Sequence, residues 1–115
     1  MEQLNRVELR GIVGSVKVSK ICGHEHARMT VATNLAYKDM DGCPVIETTW
    51  HNVTAFEGKD ICDLGSIGRG DRVEVVGRIR NQRFTSESGT DVTTSEILAS
   101  RITRLSSEEQ FQYQF

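Results

Sequence analysis

Trp50, Phe56 and Phe84 each stand on a stretch of alternating hydrophobicity, and each is out of step with the apolar residues beside it. On a strand, residues two apart point the same way. From 47 to 56, Val53 and Ala55 fit a core, so Trp50, Asn52, Thr54 and Phe56 take the other face. From 72 to 84, Val73, Val75 and Ile79 share one parity, while Arg78, Arg80 and Phe84 share the opposite one. Between 69 and 83 the chain carries Arg69, Arg72, Arg78, Arg80 and Arg83 against only Asp71 and Glu74. An aromatic ring stacks on any nucleobase, worth about 1–3 kcal/mol per base. Arginine supplies charge for phosphate and a plane for stacking. The chemistry this pattern could do is therefore capture of an unpaired nucleic-acid strand. A plainer reading stands beside it: Trp50 and Phe56 pack against another element or a second subunit, and Arg78 and Arg80 are solvated surface charges.

Other chemistry finds less support. Cys22, His24 and His26 alternate, with Cys43 further along, and these are zinc-type donors. The paired C-x-x-C spacing of zinc motifs is absent, so no metal or other cofactor is expected. No glycine-rich phosphate loop, nucleophile elbow or pair of metal-binding carboxylates occurs, and nothing joins the serines, histidines and aspartates into a triad. The expectation is a binding protein and not an enzyme.

The elements that must position these residues are strands. Residues 6–18 are rich in β-branched side chains, with Val7, Leu9 and Val13 on one face. The apolar parity switches after Gly14 to Val16 and Val18, as at a bulge. Residues 28–37 put Met29, Val31 and Leu35 on one face; 47–56 and 72–84 follow, with a bend expected at Gly77; 96–105 is a shorter run. Asp41-Gly42 and Ser88-Gly89 mark turns. Ile61, Leu64 and Ile67 fit one face of a short helix, weakened by Gly58, Gly65 and Gly68. Five strands with one short helix between the third and fourth give an all-β fold, the element order of an OB-fold barrel. Residues 1–105 would form this domain and 106–115 a short flexible tail.

The chain has 115 residues, of which 37% are hydrophobic, enough for one core. So small a barrel gains from association with copies of itself. A net charge of −2 excludes a wholly basic surface but not a basic groove on one face. Three scattered cysteines, Cys22, Cys43 and Cys62, do not suggest a secreted disulfide framework. No apolar run approaches a membrane span, and the opening Met1-Glu2-Gln3-Leu4-Asn5 lacks the pattern of a signal peptide. A cytoplasmic protein with reduced thiols is expected.

At these same residues the chain resembles the bacterial single-stranded DNA-binding proteins, an OB-fold family. N-R-V-E-L-R-G-I-V-G at 5–14, A-T-N-L-A-Y at 32–37, T-T-W-H-N-V-T-A-F at 48–56 and G-R-G-D-R-V-E-V-V-G-R-I-R-N-Q-R-F at 68–84 are similar to four family stretches, in order and at nearly the same spacing. The resemblance implies stacking residues Tyr37, Trp50, Phe56 and Phe84, with Lys17, Lys38, Arg78, Arg80 and Arg83 on the backbone. Tyr37 rests on the resemblance, since its parity matches the core face of its own strand. A homotetramer, or a dimer, is also implied, with Arg6, Val7, Leu9, Gly11 and His51 at subunit contacts. The alternative role for His51 is a histidine satisfied within its own subunit.

Two departures stand out. T-T-S-E-I at 93–97 carries one residue more than the family's stretch, which suggests a bulge. The family's long linker and acidic tip are matched here by ten residues with Glu108, Glu109 and Phe115, which are expected to fray rather than to recruit replication or repair proteins. The implied function is sequence-tolerant protection of single-stranded DNA in replication, recombination or repair. The alternative is an OB-fold module that binds another protein, such as a primosome-type accessory factor.

Overall fold

A computed structural model describes residues 2–105, and the expectations for the tail at 106–115 lie outside the described residues. Five strands form: β1 (Val7–Ile21), β2 (His24–Lys38), β3 (Pro44–Phe56), β4 (Arg72–Thr85) and β5 (Asp91–Arg104). They close into a barrel in the order β1-β2-β3-β5-β4, with β4 returning to β1. All neighbours are antiparallel except β3 and β5, which meet in a short parallel contact at Val53–Ile97 and Thr54–Leu98. This is the five-stranded OB-type barrel that the strand pattern implied.

Closure needs corners, and two bulges supply them. The first lies at Gly14, where the β1–β2 register slips between Val13 and Ser15, as the parity switch required. The second falls at Ser100, the extra residue between Val76–Arg101 and Gly77–Ala99. Gly77 is obligatory at this corner, since a Cβ there would lie 2.2 Å from the carbonyl oxygen of Leu98. The bulge expected at 93–97 does not form; β4 and β5 pair without interruption from Gly77–Ala99 to Thr85–Asp91.

The core is built from small and β-branched side chains. Val13, Ala27, Met29, Val31, Val53, Ala55, Val73, Val75, Ile97 and Ile102 fill the barrel, with Val7, Leu9 and Val16 packed against them. The expected helix is a single 3-10 turn, Leu64–Ser66, capped by the Asp63 carboxylate accepting from the Gly65 amide. Its Leu64 and the following Ile67 are nonetheless buried and plug one end of the barrel. Parallel-type bonds from Cys62 to Ile102 and from Ile102 to Asp60 pin the loop to β5.

Two residues expected in the core are half-exposed: Leu35 and Ile79. Both lie where the barrel wall runs out. β2 pairs with β1 only as far as Ala32, and β4 pairs with β1 only as far as Gly77. Beyond Ala32 β2–β3 continues as a two-stranded arm, while β4–β5 keeps β3 alongside at Leu98 and Ile97 and runs on as a two-stranded arm from Arg80–Glu96 to Thr85–Asp91. The Asn5 side chain bonds both the amide and the carbonyl of Ile79, so the segment before β1 continues alongside β4 by a side chain alone. No helix among the described residues is long and apolar enough to cross a membrane.

Candidate nucleic-acid interface

The register places one run of side chains on the outer wall of the barrel. On β3 these are Trp50, Asn52, Thr54 and Phe56, opposite Ala32, Thr30, Arg28 and His26 of β2. Lys17 of β1 stands opposite Arg28, and Ser19 opposite His26. On the far side, Thr54 meets the β5 residues Glu96 and Leu98, which pair with Arg80 and Arg78 of β4; Gln82 and Phe84 continue the row.

The three aromatics are open to solvent: Trp50 is 59% exposed, Phe56 47% and Phe84 50%. Trp50 lies flat across three strands because its floor is made of small residues. A Cβ on Gly14 would sit 2.4 Å from Trp50 Cζ3 and 3.0 Å from Thr30 Oγ1, so the bulge glycine doubles as the seat of the indole. Phe56 stacks on His26 with ring centroids 5.7 Å apart and planes 23° apart, and Ser19 Oγ holds His26 Nδ1 at 3.0 Å. Between Trp50 and Phe84 the wall is recessed by about 410 Å³, lined by polar side chains that include Lys17, Arg28, Asn52, Gln82 and Glu96.

The charges on this wall fall into two kinds. Lys17, Arg28 and Arg78 enter no ion pair among the described residues. Arg80 is bound to Glu96: its Nε donates to Oε1 at 2.9 Å and its Nη2 donates to the same oxygen. Thr54 Oγ1 donates to the other carboxylate oxygen at 2.6 Å. Burial works to raise the Glu96 pKa, but the bonds from Thr54 and Arg80 and the charges of Arg80 and Arg28 outweigh it and hold the carboxyl below its ordinary value.

Not every residue expected at this site arrives there. Trp50, Phe56, Phe84, Lys17, Arg78 and Arg80 share the outer wall. Tyr37 pairs with Val45 on the opposite face of the β2–β3 arm, and Lys38 closes that arm beside Pro44. Arg83 faces the reverse side of the β4–β5 arm from Phe84. Arg28 and Gln82 were not singled out in the sequence, although alternation from Met29 and from Val73 and Val75 points them outward; Asn52 was placed on the outer face without a role, and His26 was read only as a zinc-type donor.

The residues expected at subunit contacts make bonds within the chain. Arg6 pairs with Glu8 at 2.6 Å. Val7 and Leu9 pack on the barrel core, and a Cβ on Gly11 would sit 2.2 Å from the Ala32 carbonyl oxygen. His51 Nε2 lies 2.9 Å from Thr33 Oγ1, and burial pushes its pKa down. Residues 7–11 pair with β4, and β2 joins β1 only from Ile12 onward. Cys22, His24 and His26 do not converge: His24 Nδ1 lies 2.8 Å from Glu57 Oε1, while His26 turns to Ser19 and Phe56.

Comparison with known proteins agrees with this geometry. Residues 4–105 match the model of the single-strand binding protein family. A single-stranded DNA-binding protein of Xanthomonas axonopodis pv. citri is 31% identical over 109 residues, covering 89% of this chain and 58% of that protein. Single-stranded DNA-binding protein 1 of Xylella fastidiosa is 28% identical over 112 residues, 95% of this chain and 82% of that protein. In structure, the chain resembles a Plasmodium falciparum SSB solved in complex with ssDNA, with a TM-score of 0.75 at 21% identity over 92% of this chain and 98% of that one. A small single-stranded DNA-binding protein from Streptomyces coelicolor has the same fold, with a TM-score of 0.63 at 22% identity over 90% of this chain and 95% of that one. The family match spans every strand of the barrel and the whole aromatic wall: this chain belongs to the single-strand binding protein family.

Proposed function

We propose that this chain binds single-stranded DNA on the outer wall of its barrel, with little regard to sequence and without catalysing a reaction. The observation that carries the reading is three open aromatic rings on one face with unpaired cations between them. Bases stack on Trp50, Phe56 and Phe84; Lys17, Arg28 and Arg78 hold phosphates. Lys38 extends the Trp50 face to the end of the β2–β3 arm, whereas Tyr37 and Arg83 join only if the strand wraps around an arm to its reverse side. In the cell such a protein would act in the cytoplasm and shield strands exposed during replication, recombination or repair.

The same proposal includes self-association. The side of Val7–Leu9 away from β4, which β2 does not reach, suits pairing with its own copy, since a strand edge is a template for a further strand. A dimer or tetramer would present one DNA strand with several linked sites and so raise its avidity. Light scattering on the eluting protein measures this directly.

The test is quenching of Trp50, the chain's sole tryptophan, by oligo-dT at several salt concentrations. Strong quenching is expected, with affinity falling as salt rises because each phosphate contact releases counterions. Absence of both quenching and binding at low salt would reject the proposal.

A further inference from the structure

The outer wall carries one acid among its cations, and its placement is specific. Glu96 lines the recess of the outer wall together with Lys17, Arg28, Asn52 and Gln82, on the surface proposed to hold the strand. Its side chain is only 10% exposed and receives three hydrogen bonds, one from Thr54 and two from Arg80. Arg28 adds its charge from β2, across the intervening β3. Two of the guanidinium's five N–H donors are thus committed, and its charge is matched at contact distance by a carboxylate.

We infer that Glu96 is an internal rival of the DNA phosphates: it occupies Arg80 in the way a phosphate would, and so keeps binding weaker and less salt-dependent than the wall's cations would otherwise make it. This rests on the DNA-binding reading above. Both Arg80 donors converge on one Glu96 oxygen, and a phosphate oxygen would accept the same two donors, so the two anions compete for one partner. The carboxylate is tethered, already desolvated and braced by Thr54, so a phosphate cannot displace it without leaving a buried charge unpaired. The strand is therefore held by Lys17, Arg28, Arg78 and the aromatic rings, while the Arg80–Glu96 pair adds little net charge.

The experiment compares wild type, Glu96→Gln and the charge-neutral double variant Arg80→Gln/Glu96→Gln, titrated with oligo-dT at 50 to 200 mM salt. In Glu96→Gln the arginine is released. Affinity at low salt is expected to rise about three- to tenfold, and the slope of log K against log salt to steepen by about 0.7, the value for one added single-strand phosphate contact. The double variant removes a pair that cancels itself, and is expected to keep the wild-type slope and an affinity within about twofold. Weaker or unchanged binding by a folded Glu96→Gln overturns the inference. So does a slope lower by about 0.7 in the double variant, which would mean that Arg80 already touches phosphate in the wild type. If Glu96→Gln does not fold, the double variant decides alone, because it buries no unmatched charge. A wild-type protein that fails to bind at low salt overturns the DNA reading as well; a binding wild type with an unimproved Glu96→Gln overturns this inference only.

Discussion

Trp50 and Phe84 are about equally exposed, yet the ground beneath them differs. Trp50 belongs to a wall three strands wide, with Ala32 and Gly14 as its floor and the buried Val31 and Val53 next to it in the sheet. Phe84 belongs to the β4–β5 arm, paired with Val92 and backed by no core residue. One ring rests on a packed floor that limits its poses before any ligand comes. The other must be ordered when the ligand arrives, and part of its stacking energy is spent on that ordering. The difference teaches that equal exposure does not mean equal contribution: a rigid platform delivers more of its stacking energy as affinity.

The substitution expected to have the largest effect removes the platform. Trp50→Ala should weaken oligo-dT binding by about 10- to 100-fold, near the upper half of the range for one stacked base, while leaving the melting temperature almost unchanged. Phe84→Ala should cost less, about three- to tenfold. Competition titration by anisotropy measures both variants with one labelled strand. Equal losses would break the comparison, and unfolding of Trp50→Ala would put the indole in the core instead of on the wall.

A subtler change should hurt the platform without touching an aromatic. Gly14 has no positive φ, so its backbone accepts alanine; the obstacle is the indole ring at 2.4 Å from the new Cβ. Gly14→Ala should lift Trp50 off the sheet, shift its emission to the red and weaken DNA binding about threefold or more, with the fold intact, because an exposed side chain can move where a backbone cannot. Unchanged emission and affinity would show that the seat does not fix the ring.

How far this was legible in the sequence follows the same division. On the barrel wall, alternation is anchored by buried residues, so Val53 and Ala55 were enough to send Trp50 and Phe56 outward. The Gly14 bulge was legible because apolar residues lie on both sides of it and change parity. Along the stretches beyond Ala32 and Gly77 only Ala36 and Ile97 are buried, the alternation loses its reference, and Leu35 and Ile79 were assigned to a core that ends before reaching them. β3 and β5 also begin earlier than their patterns suggested, since their first residues belong to the two arms, and β2 begins earlier because His24–Ala27 pair with the end of β1. The Arg80–Glu96 pair was hidden for a different reason. It depends on register counted back from the Ser88-Gly89 turn, and a bulge at 93–97 would have shifted that count by one residue. The bulge lies instead at Ser100, on the other side of the pair, and leaves Arg80 opposite Glu96.

His51 marks where the wall gives way to the β2–β3 arm, and its titration offers the smallest test of that boundary. One step toward the barrel, Met29 and Val53 are buried; one step away, Thr49 is exposed. Burial lowers the folded-state pKa of His51 from its usual 6.5, so below that pH the unfolded chain binds the proton more readily. Stability from this group is therefore full above pH 6.5 and is lost as pH falls toward the folded value. Relative to wild type, His51→Gln should flatten the melting temperature between about pH 5 and 7, a change of about 2 °C or less for one half-buried histidine. Copies that pack over this face would bury His51 further, so the wild-type slope should then grow with protein concentration. A slope that ignores both the substitution and the concentration would place His51 outside the boundary, with the solvated residues of the arm.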